Sequence, residues 1–234
     1  MIWFKGNVLY YPGCLTKFFL KELLSNYERL LSKLVDFIEL KDLEICCGSP
    51  LLNAGYLKEA KRIARKNLLT WKEHGVWKII TSCPACYKVF KLDYPKLLSS
   101  KIEVEHVVET IWKGIREGRL KFEKLKGIAT YHDPCHLGKY CGIYEEPRKI
   151  LESLGLKIEE MRFNKEKAFC CGGGGGLKGN FPELSEEIAR ERVKQATQTK
   201  VELLITSCPM CYLCLSDASK GKIEVREISQ LFKF

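Results

Sequence analysis

Short, mainly apolar runs alternate with amphipathic stretches along the chain. Val8 to Tyr11, Trp77 to Ile80, Ile128 to Tyr131 and Leu203 to Ile205 read as strands buried in a parallel sheet. After each, the chain turns at a Pro or Gly and enters a helical pattern. Leu20, Leu23, Leu24, Tyr27, Leu31 and Leu34 keep helical spacing, as do Leu57, Ala60, Ala64, Leu68 and Trp71, and again Leu184, Ile188, Ala189, Val193 and Ala196. Strand, loop and helix in repetition predict an α/β fold. Two tandem repeated parallel-sheet, Rossmann-like halves are expected, with the loops at the carboxyl edge of the strands converging where ligands bind.

Those loops carry the cysteines. Ten of the twelve fall into two copies of one pattern: Cys14, Cys46-Cys47 and Cys83-x-x-Cys86, then Cys135, Cys170-Cys171 and Cys208-x-x-Cys211. The intervening lengths are 31 and 35 residues in the first copy and 34 and 36 in the second. Flanking residues repeat too. Thr81-Ser82-Cys83-Pro84-Ala85-Cys86-Tyr87 returns as Thr206-Ser207-Cys208-Pro209-Met210-Cys211-Tyr212, and corresponding cysteines lie 121 to 125 positions apart. The chain is therefore a duplicated unit, divided into residues 1–118 and 119–234, each half large enough to bury its own core. Five sulfurs per set is one more than a tetrahedral zinc site uses, which points toward iron and sulfide.

Composition narrows the setting. With 234 residues, 46% hydrophobic and 29% charged, the chain is an ordinary globular one. No apolar run approaches a membrane span, and the N-terminus has no leader pattern, so a cytoplasmic location is expected. Clustered cysteines separated by long patterned segments suit reduced thiols reserved for a metal rather than a secreted disulfide scaffold. The net charge of +10 is spread over the chain without an aromatic-basic motif, so no nucleic-acid partner is expected, and an acidic protein partner or anionic substrate fits better.

The C-x-x-C elements have their own geometry. A Pro after the first Cys favours the first turn of a helix and places both thiols near its N-terminus, where free N–H groups and the helix dipole favour thiolate. Gly48 and the run Gly172, Gly173 to Gly176 are expected to let the backbone approach a bulky inorganic group without a Cβ in the way.

With Tyr11-Pro12-Gly13-Cys14, Cys46-Cys47-Gly48-Ser49-Pro50, His132-Asp133-Pro134-Cys135-His136 and Gly142 to Arg148 in place, the chain resembles the CCG-domain, or cysteine-rich domain, family. That family is typified by the B-type component of heterodisulfide reductases and the catalytic part of their D-type component. The iron-sulfur components of glycolate and lactate oxidases are similar but more distant. The resemblance implies two noncubane 4Fe-4S clusters facing one another, with a disulfide-type substrate or anionic thiol handled between them. Carried over by residue, Cys14, Cys46, Cys47, Cys83 and Cys86 ligate one cluster, and Cys135, Cys170, Cys171, Cys208 and Cys211 the other. Gly48, Gly172 and Gly173 sit against the cofactor. The ferredoxin signature of the relatives is missing, with Ala218 where its fourth cysteine would fall. Electrons are therefore expected from a ferredoxin-like subunit, with a flavoprotein and indirect membrane association through a partner as further expectations.

Other residues are weaker signals. His132 and His136 flank Cys135 and are the candidate catalytic residues, able to donate a proton to a thiolate product or a hydrogen bond to a cluster sulfur. Cys141 and Cys214 lie outside the two sets and read as buried apolar cysteines, Cys214 also as a substitute ligand. Lys17, Lys139 and Lys178 follow cysteine loops, where a cation attracts an anion. Gly174 to Gly179 formally matches a dinucleotide fingerprint, but a five-glycine run forces that match and the site is rejected. Two alternatives remain beside a disulfide-handling oxidoreductase subunit: an electron relay within a glycolate- or lactate-type dehydrogenase complex, and a scaffold binding zinc through four cysteines of each set.

Overall fold

A computed structural model describes residues 6–99 and 102–233. Among the described residues seven strands form two sheets, and every pairing between them is parallel. The first sheet has β1 (Asn7–Tyr11), β2 (Val76–Thr81) and β3 (Glu103–His106) in the order 1-2-3. The second has β4 (Gly127–His132), β5 (Leu156–Ile158), β6 (Leu203–Thr206) and β7 (Glu224–Glu227) in the order 5-4-6-7. A single parallel bridge between Leu9 and Ile38 stands beside β1 where β5 stands beside β4. The two sheets thus repeat one topology, and the fold is the expected α/β arrangement of two Rossmann-like halves.

The four apolar runs are the two central strands of each half or their counterparts, each extended by one or two residues. The sequence pattern misses β3, β5 and β7. Each is an edge strand that alternates charged with apolar positions, such as Glu103-Val104-Glu105 and Glu224-Val225-Arg226, because only one face is buried. Lys78 pairs with Glu103 at 3.2 Å and Glu105 at 2.6 Å along that outer face.

Register aligns the strand ends. Tyr11 lies level with Thr81 and Thr81 with His106, while His132 lies level with Thr206 and Thr206 with Glu227. Cys14 and Cys135 follow their strands by three residues, and Cys83 and Cys208 by two. Four cysteine loops therefore leave the same carboxyl edge of their sheets.

The pattern from Leu20 to Leu34 forms the helix Lys21–Ser32, which a separate short helix, Cys14–Phe18, precedes. Leu20 leaves the helical region between them (φ −115°, ψ 62°), and Leu34 lies past the second helix while remaining buried. Helices Leu57–Glu73 and Pro182–Thr197 match their patterns. The larger apolar cluster runs through both halves, from Leu9, Tyr27 and Ile79 to Ala129, Ile150 and Leu231. A smaller one, with Met161, Val193, Leu204 and Leu215, packs beneath Pro182–Thr197 and Pro209–Ser219. Among the described residues, no helix is long and apolar enough to cross a membrane.

Candidate functional site

Pro84 and Pro209 open the helices Pro84–Lys88 and Pro209–Ser219, so Cys83 and Cys208 are N-cap residues, as the sequence predicts. The Cys208 sulfur accepts from the Cys211 backbone N–H at 3.4 Å. The vicinal loops repeat one geometry: Gly48 N–H reaches Cys46 Sγ at 3.3 Å, and Gly172 N–H reaches Cys170 Sγ at 3.3 Å. Gly48 and Gly172 both take a left-handed backbone (φ +89° and +80°) that puts these donors on the thiols.

Nine of the ten patterned cysteines line one cavity of about 490 Å³ between the halves: Cys14, Cys46, Cys47, Cys83 and Cys86 from the first, and Cys135, Cys171, Cys208 and Cys211 from the second. Cys170 is not on the lining but interacts with Cys135 and Cys171. Pro12, Pro50, Pro134 and Pro209 contribute to the walls.

The leading and vicinal thiols perturb one another in the same sense in both sets. Cys46 is pulled down to about 2 by Cys14, Cys47 and the Gly48 N–H, and Cys170 to about 2 by Cys135, Cys171 and the Gly172 N–H. The Cys14 thiol is pushed up by Cys46 and burial, and that of Cys135 by Cys170 and burial. Cys47 and Cys171 are likewise raised, each first by its vicinal neighbour. In the C-x-x-C pairs a second thiol of each set is lowered at its neighbour's expense, Cys83 against Cys86 in the first and Cys211 against Cys208 in the second. So many thiols in one cleft shed their remaining protons only when a cation takes the protons' place.

The glycine run divides by role. A Cβ on Gly172 would stand 2.3 Å from the Ser185 carbonyl oxygen, so this glycine allows loop and helix backbones to touch. A Cβ on Gly173 would stand 2.6 Å from Met210 Cγ and 2.7 Å from Cys214 Sγ, so Gly173 is the one pressed against sulfur. Gly48 has open space, with only Ile63 near at 3.9 Å.

His136 lines the cavity, with Nδ1 3.6 Å from Cys135 Sγ and its ring stacked on Tyr140; burial lowers its pKa. His132 lies deeper, and its ring nitrogens, Cys171 Sγ and Cys211 Sγ offer ligand atoms within 4.8 Å of one another. His74 holds the Thr70 carbonyl, and His106 is buried as the N-cap of helix Val107–Arg116. Lys178 lines the cavity and pairs with Asp217 at 3.3 Å, whereas Lys17 lies 3.8 Å from Glu44. Cys214 is buried beside Cys171 and Met210; Cys141 is half-buried against the core, its pKa raised to about 11 by burial.

Sequence patterning does not reveal the residues that brace these loops. Asn67 donates to the Cys46 carbonyl at 3.0 Å, and the Tyr94 hydroxyl to the Cys47 carbonyl at 3.0 Å. Arg148 forms a bidentate pair with Asp133 at 2.7 and 3.0 Å, fixing the turn before Cys135. Arg192 donates from Nε to His132 Nδ1 at 3.0 Å.

The chain belongs to the cysteine-rich domain (CCG) family, whose model matches residues 8–91 and 129–216. It is 37% identical over 235 residues to the D-type component of the dihydromethanophenazine:CoB–CoM heterodisulfide reductase of Methanosarcina acetivorans, covering 96% of this chain and 58% of that one. It is 34% identical to an EtfAB:quinone oxidoreductase of Syntrophomonas wolfei (96% and 33% covered) and 32% identical to an iron-sulfur protein of Methanocaldococcus jannaschii (97% and 44% covered). The chain thus spans little more than half the length of the heterodisulfide reductase relatives it matches.

Proposed function

We propose that this chain is the iron-sulfur catalytic part of a heterodisulfide reductase-like oxidoreductase, with the cavity between its halves as the place of reaction. The carrying observation is that nine cysteines of two separate sets face one cavity. Cys14, Cys46, Cys47, Cys83 and Cys86 would hold one four-iron four-sulfur cluster of the noncubane type, and Cys135, Cys170, Cys171, Cys208 and Cys211 the other. The donor set fits such groups: thiols that cannot ionise together without a cation, and the Cβ-free approach of left-handed Gly13 to the Cys86 and Cys83 sulfurs, which a Cβ would meet at 3.3 and 3.7 Å. When bound, such clusters supply and accept single electrons.

The chain's own residues bind and shield. Burial keeps Cys47, Cys86, Cys171, Cys208 and Cys211 from bulk water while Cys14 and Cys170 face it, and His136 is placed to hydrogen-bond a product sulfur near Cys135. Lys178, at the lining, favours an anionic substrate. Cleavage of a disulfide takes two electrons and two protons and yields two thiols. The electrons would come from a ferredoxin-like subunit or a flavoprotein, and any membrane association would run through such a partner. Similarity to an EtfAB:quinone oxidoreductase supports a second reading, in which the chain only relays electrons.

Iron, sulfide and zinc analysis of anaerobically purified protein, with electron paramagnetic resonance (EPR) after adding a candidate thiol to the oxidised sample, separates these readings. Roughly eight iron and eight sulfide per chain and a thiol-sensitive signal are expected. Iron insensitive to every thiol would favour the relay, and zinc alone would overturn the redox reading.

A further inference from the structure

The two halves differ where their symmetry should be strictest. Buried positions 60, 64, 67 and 71 of helix Leu57–Glu73 recur as 185, 189, 192 and 196 of helix Pro182–Thr197. Asn67 therefore corresponds to Arg192. Counting back from the first cysteine of each set, Tyr11 corresponds to His132. In the first half both polar groups are engaged by backbone. The Tyr11 hydroxyl donates to the Ile45 carbonyl at 2.6 Å and Asn67 to the Cys46 carbonyl at 3.0 Å. In the second half the pair is turned on itself and toward sulfur.

Arg192 is locked by Nη1 donating to the Phe163 carbonyl at 2.8 Å and to Gln195 Oε1 at 2.9 Å. Its Nε donates to His132 Nδ1 at 3.0 Å. A guanidinium has only donors, so Nδ1 must be the acceptor, and a neutral imidazole then carries its proton on Nε2. That Nε2 is buried and bonds no oxygen or nitrogen of the protein, while the Cys171 and Cys211 sulfurs stand beside the ring, with Cys211 in reach of its hydrogen bond. Leaving a buried N–H unpaired is costly, so the site is built for an acceptor beyond the protein's own oxygen atoms. Arg192 Nη2 is a second buried donor without a partner. Histidines that ligate a metal normally donate their other N–H to a carboxylate or carbonyl. Here the other nitrogen receives a proton donor instead, which leaves no lone pair for iron.

Building on the iron-sulfur reading above, we infer that His132, positioned by Arg192, donates a hydrogen bond from Nε2 to sulfur of the second centre and is not an iron ligand, so that the second centre has the higher reduction potential of the two. The N–H and the buried guanidinium charge both favour the more negative, reduced form. The first centre, with a tyrosine and an asparagine spent on carbonyls, has neither. In the step concerned, one electron passes from the external reductant to the second centre, and the Nε2 proton stays on nitrogen.

The test uses the full chain loaded with iron and sulfide anaerobically and labelled with ¹⁵N-histidine. Iron analysis, pulsed EPR and an EPR-monitored titration with dithionite are read together. A weakly coupled histidine nitrogen and two distinct potentials are expected in the parent protein. His132→Phe should keep its iron, lose the His132 nitrogen coupling while any from His136 persists, and lower only the higher of the two potentials. Arg192→Met should shift the same potential in the same direction by freeing the ring. His132→Gln, which retains an N–H donor and guards against a folding failure of the Phe variant, should recover part of the shift. A strongly coupled, directly bonded nitrogen, or loss of half the iron in His132→Phe, would overturn the assignment. Full iron with unchanged potentials would overturn it as well. A parent chain without iron would sink the iron-sulfur reading itself, and metal analysis reports that separately.

Discussion

The Tyr27 hydroxyl donates a hydrogen bond to the Glu227 carboxylate, joining residues 200 positions apart. Glu227 ends β7 and also caps the turn Ile228–Leu231, accepting from Ser229 N at 2.8 Å and Ser229 Oγ at 2.5 Å. One buried carboxyl therefore holds the end of the second sheet against helix Lys21–Ser32 of the first half. His106 occupies the equivalent place at the end of β3 and caps its own helix, and its hydrogen bonds with Glu109 and Val108 stay within the first half.

The Glu227 tie makes stability depend on pH. Burial raises its pKa from 4.5 to about 7, partly offset by the Ser229 and Tyr27 donors, and both Tyr10 and Tyr27 face it as neutral phenols. Below the unfolded value both states are protonated and the carboxyl's contribution is fully present. As pH rises toward 7 the unfolded chain releases the proton first, so stability falls, by on the order of 3 kcal/mol, and levels off above the folded value. Glu44, likewise raised to about 7 by burial, adds a loss of the same sign, whereas His106, lowered to about 3 by burial, adds a gain over this range. The Glu227 share is therefore read as a difference: between pH 5 and pH 8 the urea midpoint of the parent should fall relative to that of Glu227→Gln, and equal changes in the two would assign the dependence elsewhere.

Arg148 and Asp133 are both almost fully buried, Glu160 accepts from Arg148 at 2.5 and 3.0 Å, and the Tyr144 carbonyl accepts from Nη1 at 2.8 Å. Removing the cation strands a charge in a dry site. Arg148→Met should therefore cost about 3–5 kcal/mol, with Cys135 losing its braced turn. Arg148→Met combined with Asp133→Asn should cost less than Arg148→Met alone, because no buried charge is left unpaired. Denaturant midpoints of the two variants decide the matter.

Much of this was legible in the primary structure, for a physical reason. Cysteines that converge on one cavity must recur at fixed loop positions, and central parallel strands must be apolar on both faces, so both leave local patterns. Edge strands such as Leu156–Ile158 leave a weaker one because half their side chains meet solvent. Arg192 was missed although a signal exists: it is a charged residue on the buried stripe formed with Ser185, Ala189 and Ala196. Such a residue is tolerated only with partners, and those partners, His132 and the Phe163 carbonyl, lie on other elements that no helical periodicity reports.

The five glycines after Cys171 should not be equivalent. Gly172→Ala combines a left-handed backbone with a Cβ driven into the Ser185 carbonyl, whose residue also donates from Oγ to the Gly172 carbonyl at 2.9 Å. Gly175 is left-handed as well (φ +67°), but a Cβ there would meet nothing within 4 Å. Gly175→Ala should cost about 1 kcal/mol from backbone strain alone. Gly172→Ala should cost about 2–4 kcal/mol, since backbone atoms cannot yield as a side chain does. Melting temperatures of the two variants that coincide would argue against the contact.

Cys47 and Cys171 occupy equivalent places in the two sets, each buried, each raised in pKa by its vicinal neighbour, and each on the cavity lining. If each set holds its own cluster, Cys47→Ala and Cys171→Ala should each lose about half of roughly eight iron per chain while the other centre's EPR signal persists. Each thiol sits in an apolar cluster, but Cys→Ala removes one sulfur and leaves the strands untouched, so both variants should remain folded by circular dichroism. Turnover of a disulfide with a reduced viologen should vanish in both, since two electrons are needed and one centre would remain. A variant with half its iron and full turnover would mean that a single centre suffices, and that the paired cysteine sets serve transfer rather than bond cleavage.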